Sequence, residues 1–504
     1  MESNTRELPL AYHATRGAIW IAVSSACQFG LGFIANILLT RLLFPSAFGE
    51  FALAAFFCQI LRVQSKTGVS HAFTQNQELT GDTFGTYAVT DAVAALAGVA
   101  LTFCMAPVLL YFEYSRMVVE LTMAMSITYL LEGLAGIAGT LLSRELRFKE
   151  LSVLNMTLFP ISYIPAFWLA THGGGAWSIV VHGLTFNILM APLAWLTARS
   201  KLPHVWKMTW TFRAHLCRRF LRFGATVGLG VLAALLLTQL DNFLIGTFVG
   251  VTVLGLYDRA YRTAEWPGAL FQKLISHSAF YTYSRLQDDR NSLERMATMV
   301  IWSILFLTVP VGIAVFVVAP DLLLLLYGPQ WVPAATFLRI LIVYAVLKPL
   351  WENAGTFFIA MGKPKTTTSV NVIQALILVG AGVPLTMEFG AMGTCAAVGL
   401  AFATGMIIFY KKFGREIPIK LGKLLVPSLV TALCAILGYL AINRIARLDG
   451  FSIGLRLIFR AGWIVLSFWA IAFLAQPALV GKRLRYILKL LAGKDFPQDR
   501  AILE

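Results

Sequence analysis

Long apolar segments alternate with short polar ones along nearly the whole chain. About fourteen of them approach the length of about 20 residues that crosses the hydrocarbon core of a bilayer. They cover residues 18–40, 46–64, 86–111, 118–142, 151–171, 175–198, 223–247, 253–274, 296–319, 333–361, 366–386, 389–410, 424–443 and 457–480. This pattern predicts an all-α integral membrane protein with about fourteen transmembrane helices.

The basic residues predict how the chain is oriented in the membrane. Most of the 41 Lys and Arg residues lie in the leader, in alternate loops and in the C-terminal tail. Because loops rich in Lys and Arg stay on the cytoplasmic side, we expect both termini and the basic loop 199–222 to be cytoplasmic. The last external loop is an exception, since it carries the arginines Arg444, Arg447, Arg456 and Arg460.

A faint repeat relates two stretches of the chain at an offset of 206 residues. Each stretch runs from the end of one span into the start of the next. The matched pairs are Asn36 with Asn242, Leu38 with Leu244, Gly49 with Gly255, and Phe51 with Tyr257. Both stretches open a block of six spans, and blocks of even number point the same way across the membrane. We therefore predict a parallel repeat, which in transporters places the substrate site between the two halves.

The predicted organisation follows from this repeat. Two six-helix lobes surround a central cavity, a basic cytoplasmic linker joins them, and two additional helices and a cytoplasmic tail follow. The corresponding ranges are 1–198 and 223–410 for the lobes, 199–222 for the linker, 424–480 for the additional helices and 481–504 for the tail.

Composition excludes several other classes of protein. The chain is 58% hydrophobic and 13% charged, with a net charge of +16 and a mean hydropathy of +0.74. No folded basic domain exists to bind nucleic acid, so the positive charge is explained by membrane orientation. The six cysteines show no paired or metal-ligand spacing. The sequence also has no Walker loop, dinucleotide fingerprint or nucleophile elbow. We therefore expect no enzymatic activity, metal or cofactor.

The segment 240–267 is the most informative part of the chain, because charges interrupt its membrane-spanning pattern. These charged residues are Asp241, Asp258, Arg259, Arg262 and Glu265. A charge near the middle of a bilayer helix costs about 2.5–3.5 kcal/mol on insertion scales. Such residues are retained where they face one another or water, so the segment indicates a polar pathway.

Helical periodicity places aromatic and basic residues on one broad face of the eighth span. They are Tyr257, Tyr261, Trp266, Arg259 and Arg262. A guanidinium group matches phosphate oxygens, and aromatic rings stack on the apolar faces of sugars. We interpret this face as a site for an anionic headgroup that carries sugars. The alternative is that Asp258 and Arg262, four residues apart, form a neutral pair that only holds helices together.

Other polar positions inside the spans extend the candidate site. Lys348 in the tenth span lies four residues before Glu352 and is assigned to substrate binding. Arg339, near the outer end of that span, either joins this group or extends to the membrane interface. Asp241 and Glu132 are candidates for a coupling proton or sodium ion, although Asp241 can equally serve a polar helix contact.

Four motifs resemble those of one known family. The run LTRLLFPSAFGEFAL at 39–53 resembles the first hairpin of bacterial polysaccharide flippases, and segment 240–267 resembles their mid-chain signature. LYGPQWVPAA at 326–335 resembles the external loop after their ninth span, and AMGKPK at 360–365 the turn that closes the tenth. The family is the polysaccharide transporter branch of the multidrug/oligosaccharidyl-lipid/polysaccharide exporter superfamily.

The resemblance implies a function. It implies twelve core helices in two lobes, and a substrate in which a polyprenyl diphosphate carries an oligosaccharide. This lipid-linked repeat unit would cross the bacterial inner membrane during exopolysaccharide, capsule or O-antigen assembly. Implied partners are membrane lipids, a polysaccharide polymerase and a chain-length regulator.

Three alternatives remain open from the sequence. A cation-coupled drug antiporter of the same superfamily would favour an acidic, apolar cavity. A peptidoglycan-precursor flippase would share the spans and the cationic cavity. A membrane-embedded glycosyltransferase or polymerase would call for a large external loop or an acidic catalytic motif.

Overall fold

The computed structural model describes residues 4–66, 69–75, 79–419, 421–445 and 451–491. Every regular element in these ranges is a helix, and this confirms the all-α prediction. The chain divides into two compact units, Met1–Gly255 and Leu256–Glu504. Residues 492–504 of the predicted tail lie outside the described ranges.

The first unit contains nine helices in its described part, together with the start of a tenth. These are α1 (Asn4–Leu42), α2 (Pro45–Lys66), α3 (Val69–Gln75), α4 (Gly81–Tyr111), α5 (Arg116–Arg144), α6 (Phe148–Thr171), α7 (Trp177–Lys201), α8 (Pro203–Trp206), α9 (Ala214–Phe248) and the beginning of α10 (Val251–Arg285).

The second unit contains the rest of α10 and the helices that follow it. These are α11 (Arg290–Tyr327), a 3₁₀ helix (Pro329–Ala334), α12 (Ala335–Ala360), α13 (Pro364–Glu416), α14 (Leu421–Ile445), α15 (Ile453–Ala475) and α16 (Pro477–Leu491). The last of these, α16, falls largely in the segment that the sequence treats as a tail.

The helices account for all of the predicted spans. Over the described residues, ten helices are long and apolar enough to cross a membrane. One of them, α13, holds two predicted spans, because the non-helical backbone of Gly390 (φ 59°) divides it. The second, seventh and eighth predicted spans lie on α2, α9 and α10, which are not among these ten. The last predicted span, 457–480, covers most of α15 and runs into the start of α16. The chain is a multi-pass membrane protein.

In the first unit, α5 packs against α2, α4 and α7, while α6 packs between α7 and α1. Small residues line these contacts, since Ala138 of α5 and Ala194 of α7 are both fully buried. Small side chains let the backbones of neighbouring membrane helices approach closely. Close packing of these helices therefore holds the first unit together.

A close crossing in the first unit joins α2 to the start of α10. A Cβ atom on Gly49 would lie 1.7 Å from the Val251 carbonyl oxygen, and one on Gly255 would lie 1.8 Å from the Pro45 carbonyl oxygen. The contact is reciprocal, because Val251 and Gly255 follow Pro45 and Gly49 by the offset of the sequence repeat. The two repeated stretches thus meet through equivalent atoms, which supports a local duplication. The larger six-helix repeat stays a prediction.

Residues 199–222, the predicted linker, contain regular structure and pack on the first unit. α7 continues to Lys201 and α9 begins at Ala214. The chain between α8 and α9 is held at the start of α4, where Asp82 accepts hydrogen bonds from the Thr211 hydroxyl and from Arg213 Nε. This explains how a strongly basic segment keeps a defined position.

In the second unit, α11 packs against α12, α14 and α15, and α12 packs against α13. Aromatic side chains dominate this core, and Tyr283, Phe357, Phe409 and Phe413 are at most 1% exposed. The rings of Phe357 and Phe413 lie 4.1 Å apart. Large buried rings therefore fix the packing of α10, α12 and α13.

Two of the arginines that the sequence assigns to the last external loop lie on α15. Arg456 Nη2 donates to Asp321 Oδ1 of α11 at 2.5 Å, and Arg460 Nη1 donates to Asp321 Oδ2 at 3.0 Å. Arg460 Nη2 also donates to Asn443 Oδ1 of α14 at 3.2 Å. These residues connect α11, α14 and α15. This structural role explains why Arg456 and Arg460 occur on the predicted external side, where Lys and Arg are otherwise few. The side chains of the other two arginines lie outside the described part of the chain.

Candidate functional site

Asp258 is the centre of a charge cluster on the part of α10 that lies in the second unit. Arg259 Nη2 donates to Asp258 Oδ2 at 2.8 Å, and Arg262 Nε donates to both carboxylate oxygens at 3.0 Å. Arg262 follows Asp258 by one helical turn, which brings the two side chains to the same face. One carboxylate thus holds two guanidinium groups, and a net positive charge remains.

The two arginines of this cluster differ in exposure. The side chain of Arg259 is 4% exposed, whereas that of Arg262 is 49% exposed. Arg259 is enclosed with Asp258, so a ligand would have to displace protein atoms to reach it. The hydrogen bonds described for Arg262 involve Nε alone, which leaves its Nη atoms for a ligand. The sequence assigned both arginines to substrate binding, and the structure makes Arg262 the accessible one.

A second ion pair lies one turn further along the same face of α10. Lys348 Nζ of α12 donates to Glu265 Oε1. Lys348 Nζ also lies 5.9 Å from the centroid of the Tyr261 ring, within the range of a cation–π contact. Both partners of the pair are partly exposed. We call the following set the polar face: Asp258, Tyr261, Arg262, Glu265 and Lys348.

The predicted aromatic residues divide between this face and the packed interior. Tyr257 is fully buried, and its ring centroid lies 6.2 Å from Tyr261 and 6.0 Å from Phe337. Trp266 lies edge-on to Tyr327 of α11 with 6.3 Å between centroids. Tyr261 is therefore the predicted aromatic residue that belongs to the polar face, while Tyr257 and Trp266 contact neighbouring rings.

Glu352 was not assigned a role from the sequence, although its position beside Lys348 was evident. It lies one turn after Lys348 on α12, yet Lys348 donates to Glu265. The Oε2 atom of Glu352 is buried and has no hydrogen-bond donor among the described residues. Buried polar atoms are normally satisfied, so an unsatisfied carboxylate oxygen indicates a proton, an ion or a water at that position. The spacing of Lys348 and Glu352 was visible in the sequence, but the competing partner was not.

Glu132, predicted for ion coupling, lines a cavity of about 610 Å³ in the first unit. Helices α3, α5, α6 and α7 form the walls, and Thr140, Arg144 and Asn187 contribute further polar groups. Arg144 Nη1 donates to the Phe73 carbonyl at 3.1 Å, which holds its guanidinium at the wall. The cavity is large enough to hold water, and Glu132 lies in its wall.

Asp241, the other residue predicted for coupling, is 5% exposed on α9. Its Oδ1 atom accepts a hydrogen bond from the Asn242 backbone at 2.9 Å. Asn242 Nδ2 in turn donates to Gln239 Oε1 at 2.9 Å. Asp241 therefore belongs to a polar turn within its own helix, and its surroundings differ from the open cavity around Glu132.

The described residues contain no candidate metal centre. No group of three or more His, Cys, Asp or Glu residues in that part of the chain has the arrangement needed to hold a metal ion.

Comparison with known proteins defines the family. The family model described as polysaccharide biosynthesis protein matches residues 38–336, which is more than half of the chain. The chain belongs to this family, as the motifs predicted. The match covers both the first hairpin and segment 240–267, so the α10 residues of the polar face fall within the matched region, whereas Lys348 of α12 lies beyond it.

Individual relatives agree with this assignment. The chain is 24% identical over 343 residues to the succinoglycan biosynthesis transport protein ExoT of Rhizobium meliloti, with 68% of each protein covered. It is 19% identical over 397 residues to the lipopolysaccharide biosynthesis protein WzxC of Escherichia coli, with 78% of each covered. Among solved structures, the lipid II flippase MurJ in an inward closed conformation matches with a TM-score of 0.71 at 16% identity, covering 91% of this chain and all of that one. The fold is therefore that of a known all-α membrane transporter.

Proposed function

We propose that this protein is a flippase that moves polyprenyl-diphosphate-linked oligosaccharide repeat units across the bacterial inner membrane. The units would serve exopolysaccharide, capsule or O-antigen assembly, and the transport would proceed by alternating access. Family membership and the relatives named for polysaccharide transport support this class of protein. They also support a transporter rather than an enzyme.

The observation that carries the proposal is the polar face on α10. Arg262 is half-exposed and remains cationic beside Asp258. The ring of the adjacent residue Tyr261 lies 5.9 Å from Lys348 Nζ. A planar guanidinium with free Nη atoms can bind a phosphate through two hydrogen bonds. An adjacent tyrosine ring offers a surface for a sugar. The face therefore has the chemistry that a sugar diphosphate requires, in a helix where charges are costly.

Substitution of Arg262 tests this proposal. We expect Arg262→Ala to lower polymer export at least about tenfold, since a hydrogen bond to a charged group contributes about 1.5–3 kcal/mol. Arg262→Lys should restore export only in part, because an ammonium keeps the charge without the planar fork. The readout is export in a deletion strain, with membrane abundance measured in parallel.

Arg339 provides a matched control on α12. It is exposed, and its Nε atom donates to the Phe316 carbonyl at 3.2 Å. Arg339→Ala removes the same charge away from the polar face and should leave export near the parental level. Normal export by Arg262→Ala at normal abundance would reject the assignment of Arg262.

A second candidate is a flippase for the peptidoglycan precursor, which the fold match to the lipid II flippase favours. Both substrates carry a polyprenyl diphosphate, so the polar face suits either. Genetic complementation separates them. We expect the chain to restore polymer export to a polysaccharide flippase mutant and to fail to rescue cells depleted of their peptidoglycan-precursor flippase. The reverse result would establish the second candidate.

The proposal also specifies orientation and partners. We propose that both termini are cytoplasmic, and that a polysaccharide polymerase and a chain-length regulator act on the delivered units. Reporter fusions after Ser200 and after Gly328 should report opposite sides of the membrane. Fusions that report the same side would refute the predicted topology.

A further inference from the structure

The cytoplasmic end predicted for the second unit contains a polar cavity that the proposed transport function does not use. Its volume is about 650 Å³, and it lies between the start of α11, the start of α14 and the helix α16. Its charged lining residues are Glu294 of α11, Lys423 of α14 and Arg483 of α16. Thr298 and Gln476 add uncharged hydrogen-bonding groups.

Arg483 is held in this cavity by packing. It is 4% exposed, and its guanidinium carbon lies 5.3 Å from the centroid of the Trp302 ring. Burial lowers the pKa of Arg483 to about 10, so the side chain is still a cation at neutral pH. A buried, positioned guanidinium at a cavity wall is a strong group for binding a phosphate.

An apolar groove continues from the polar cavity. It has a volume of about 260 Å³ and runs between α11, α14 and α15. The two spaces share Val426, Pro427 and Gln476 in their walls. Further along, Trp302, Phe306, Val430, Phe468 and Ile471 line the groove. A charged cavity that opens into an apolar groove matches an amphiphile with a headgroup and acyl chains.

The helix α16 completes the site. At 15 residues it is shorter than the spanning helices of the described chain, and its basic residues make it more polar than they are. Val480 on its inner side is 4% exposed and joins the aromatic core of the second unit, whereas Lys482 and Arg485 are exposed. Helices with this division of residues lie along the membrane interface, so α16 covers the cavity while Lys482 and Arg485 lie on its outer side.

We propose that this cavity and groove bind one phosphatidylglycerol molecule, a phospholipid with a singly charged phosphodiester. Lys423 and Arg483 bind the phosphate, while Glu294 and Gln476 accept hydrogen bonds from the glycerol hydroxyls. The two cations and one carboxylate carry a net charge of +1, which the lipid neutralises. The acyl chains occupy the groove, so the lipid joins α16 to α11 and α14.

Lipid binding to the purified full-length protein tests the proposal, for example by native mass spectrometry with phosphatidylglycerol, phosphatidylethanolamine and inorganic phosphate as probes. We expect phosphatidylglycerol to bind at least about tenfold more tightly than phosphatidylethanolamine. The double variant Lys423→Ala with Arg483→Ala should weaken its binding at least about tenfold, because hydrogen bonds to charged groups are lost.

Lys482 and Arg485 supply the matched control. Changing both to alanine removes the same charge from the exposed side of α16 and should leave phosphatidylglycerol binding unchanged. Equal loss in the two double variants would show diffuse attraction to a basic surface and overturn the site. Equal binding of phosphatidylethanolamine, or saturation of the site by inorganic phosphate alone, would overturn the choice of ligand.

Two further variants keep the test decisive if the loss of buried Arg483 prevents folding. Lys423→Ala alone removes an exposed cation and should weaken binding several-fold. Ala472→Phe fills the groove without changing charge and should also weaken binding, since the acyl chains lose their place. Unchanged phosphatidylglycerol binding in both variants would contradict the proposal.

Discussion

The helices α2 and α10 begin alike and then diverge. Both start at the reciprocal crossing in which Gly49 and Gly255 face each other's helix. Beyond this crossing, the positions of α2 that correspond to the charges of α10 are uncharged. The pairs, at the offset of the repeat, are Ala52 with Asp258, Leu53 with Arg259, Phe56 with Arg262 and Gln59 with Glu265.

The corresponding positions of α2 show which side chains suffice for packing there. Ala52, Leu53 and Phe56 are each at most 3% exposed, and Phe56 stacks on Phe243 with 4.8 Å between ring centroids. At these positions of the repeat, a helix can therefore pack with apolar side chains in place of charged ones. Since charges in membrane helices carry a cost, their presence in α10 is better explained by function than by architecture. The same difference occurs earlier in the repeat, where Asp241 corresponds to Ala35.

The largest loss of stability is expected from substitutions at the glycine crossing that α2 and α10 share. Gly255→Val and Gly49→Val each place carbon atoms where a carbonyl oxygen of the other helix lies. Overpacking of side chains typically costs about 1–3 kcal/mol. We expect a larger loss here, enough to deplete the folded protein, because the atoms in the way belong to the backbone of the other helix. Membrane abundance and the midpoint of thermal unfolding are the measurements. Reciprocal geometry predicts that the two variants are affected equally.

Gly30 on α1 is the control for these glycines. A Cβ atom there meets no atom within 4 Å. Gly30→Ala should leave stability unchanged or raise it by about 0.5–1 kcal/mol, because alanine is the better helix former. Normal stability of Gly255→Val would disprove the close crossing.

The next largest loss of stability concerns the buried Asp258–Arg259 pair, which α10 contains and α2 lacks. Asp258→Ala leaves Arg259 buried without its carboxylate, and losing one partner of a buried ion pair costs about 3–5 kcal/mol. Asp258→Ala combined with Arg259→Leu reproduces the residues of α2 and should recover most of this stability. Thermal unfolding of the single and double variants measures the difference. A double variant as unstable as Asp258→Ala would mean that α10 requires charge for packing.

A smaller effect is expected from the carboxylates that we propose for coupling. Asp241→Asn and Glu132→Gln remove a charge with little change in shape. Each should reduce transport driven by an imposed ion gradient several-fold in vesicles, while substrate binding stays near the parental level. Alternating access can be biased by an ion that binds one conformation better. If both variants respond to the gradient as the parent does, coupling resides elsewhere, and Glu352 is then the next residue to test.

Much of the fold could be predicted from the sequence because a bilayer imposes a length and a hydropathy on each helix. All but the last predicted span coincide with a single helical segment, and the repeat offset pairs Gly49 with Gly255, which meet at the close crossing. The helix α16 was absorbed into a tail, since its basic residues lower its mean hydropathy. Arg456 and Arg460 were assigned to a loop because their partner Asp321 is far away in the sequence.

The candidate site could be predicted only as a set of residues on a helix face. Periodicity identified Arg259 and Arg262 equally well, but only tertiary packing encloses one and exposes the other. The same holds for Lys348, whose choice of Glu265 over Glu352 depends on how α10 and α12 pack. The spacing of residues along one helix cannot predict which side chain of another helix they will contact.

One measurement tests the central claim that the charges of α10 are functional rather than architectural. The variant that combines Asp258→Ala, Arg259→Leu, Arg262→Phe and Glu265→Gln gives α10 the residues of α2. Polymer export in a deletion strain is measured together with membrane abundance and thermal unfolding. We predict a stable, membrane-inserted protein that exports no polymer. Export at the parental level, or loss of the folded protein, would contradict the claim.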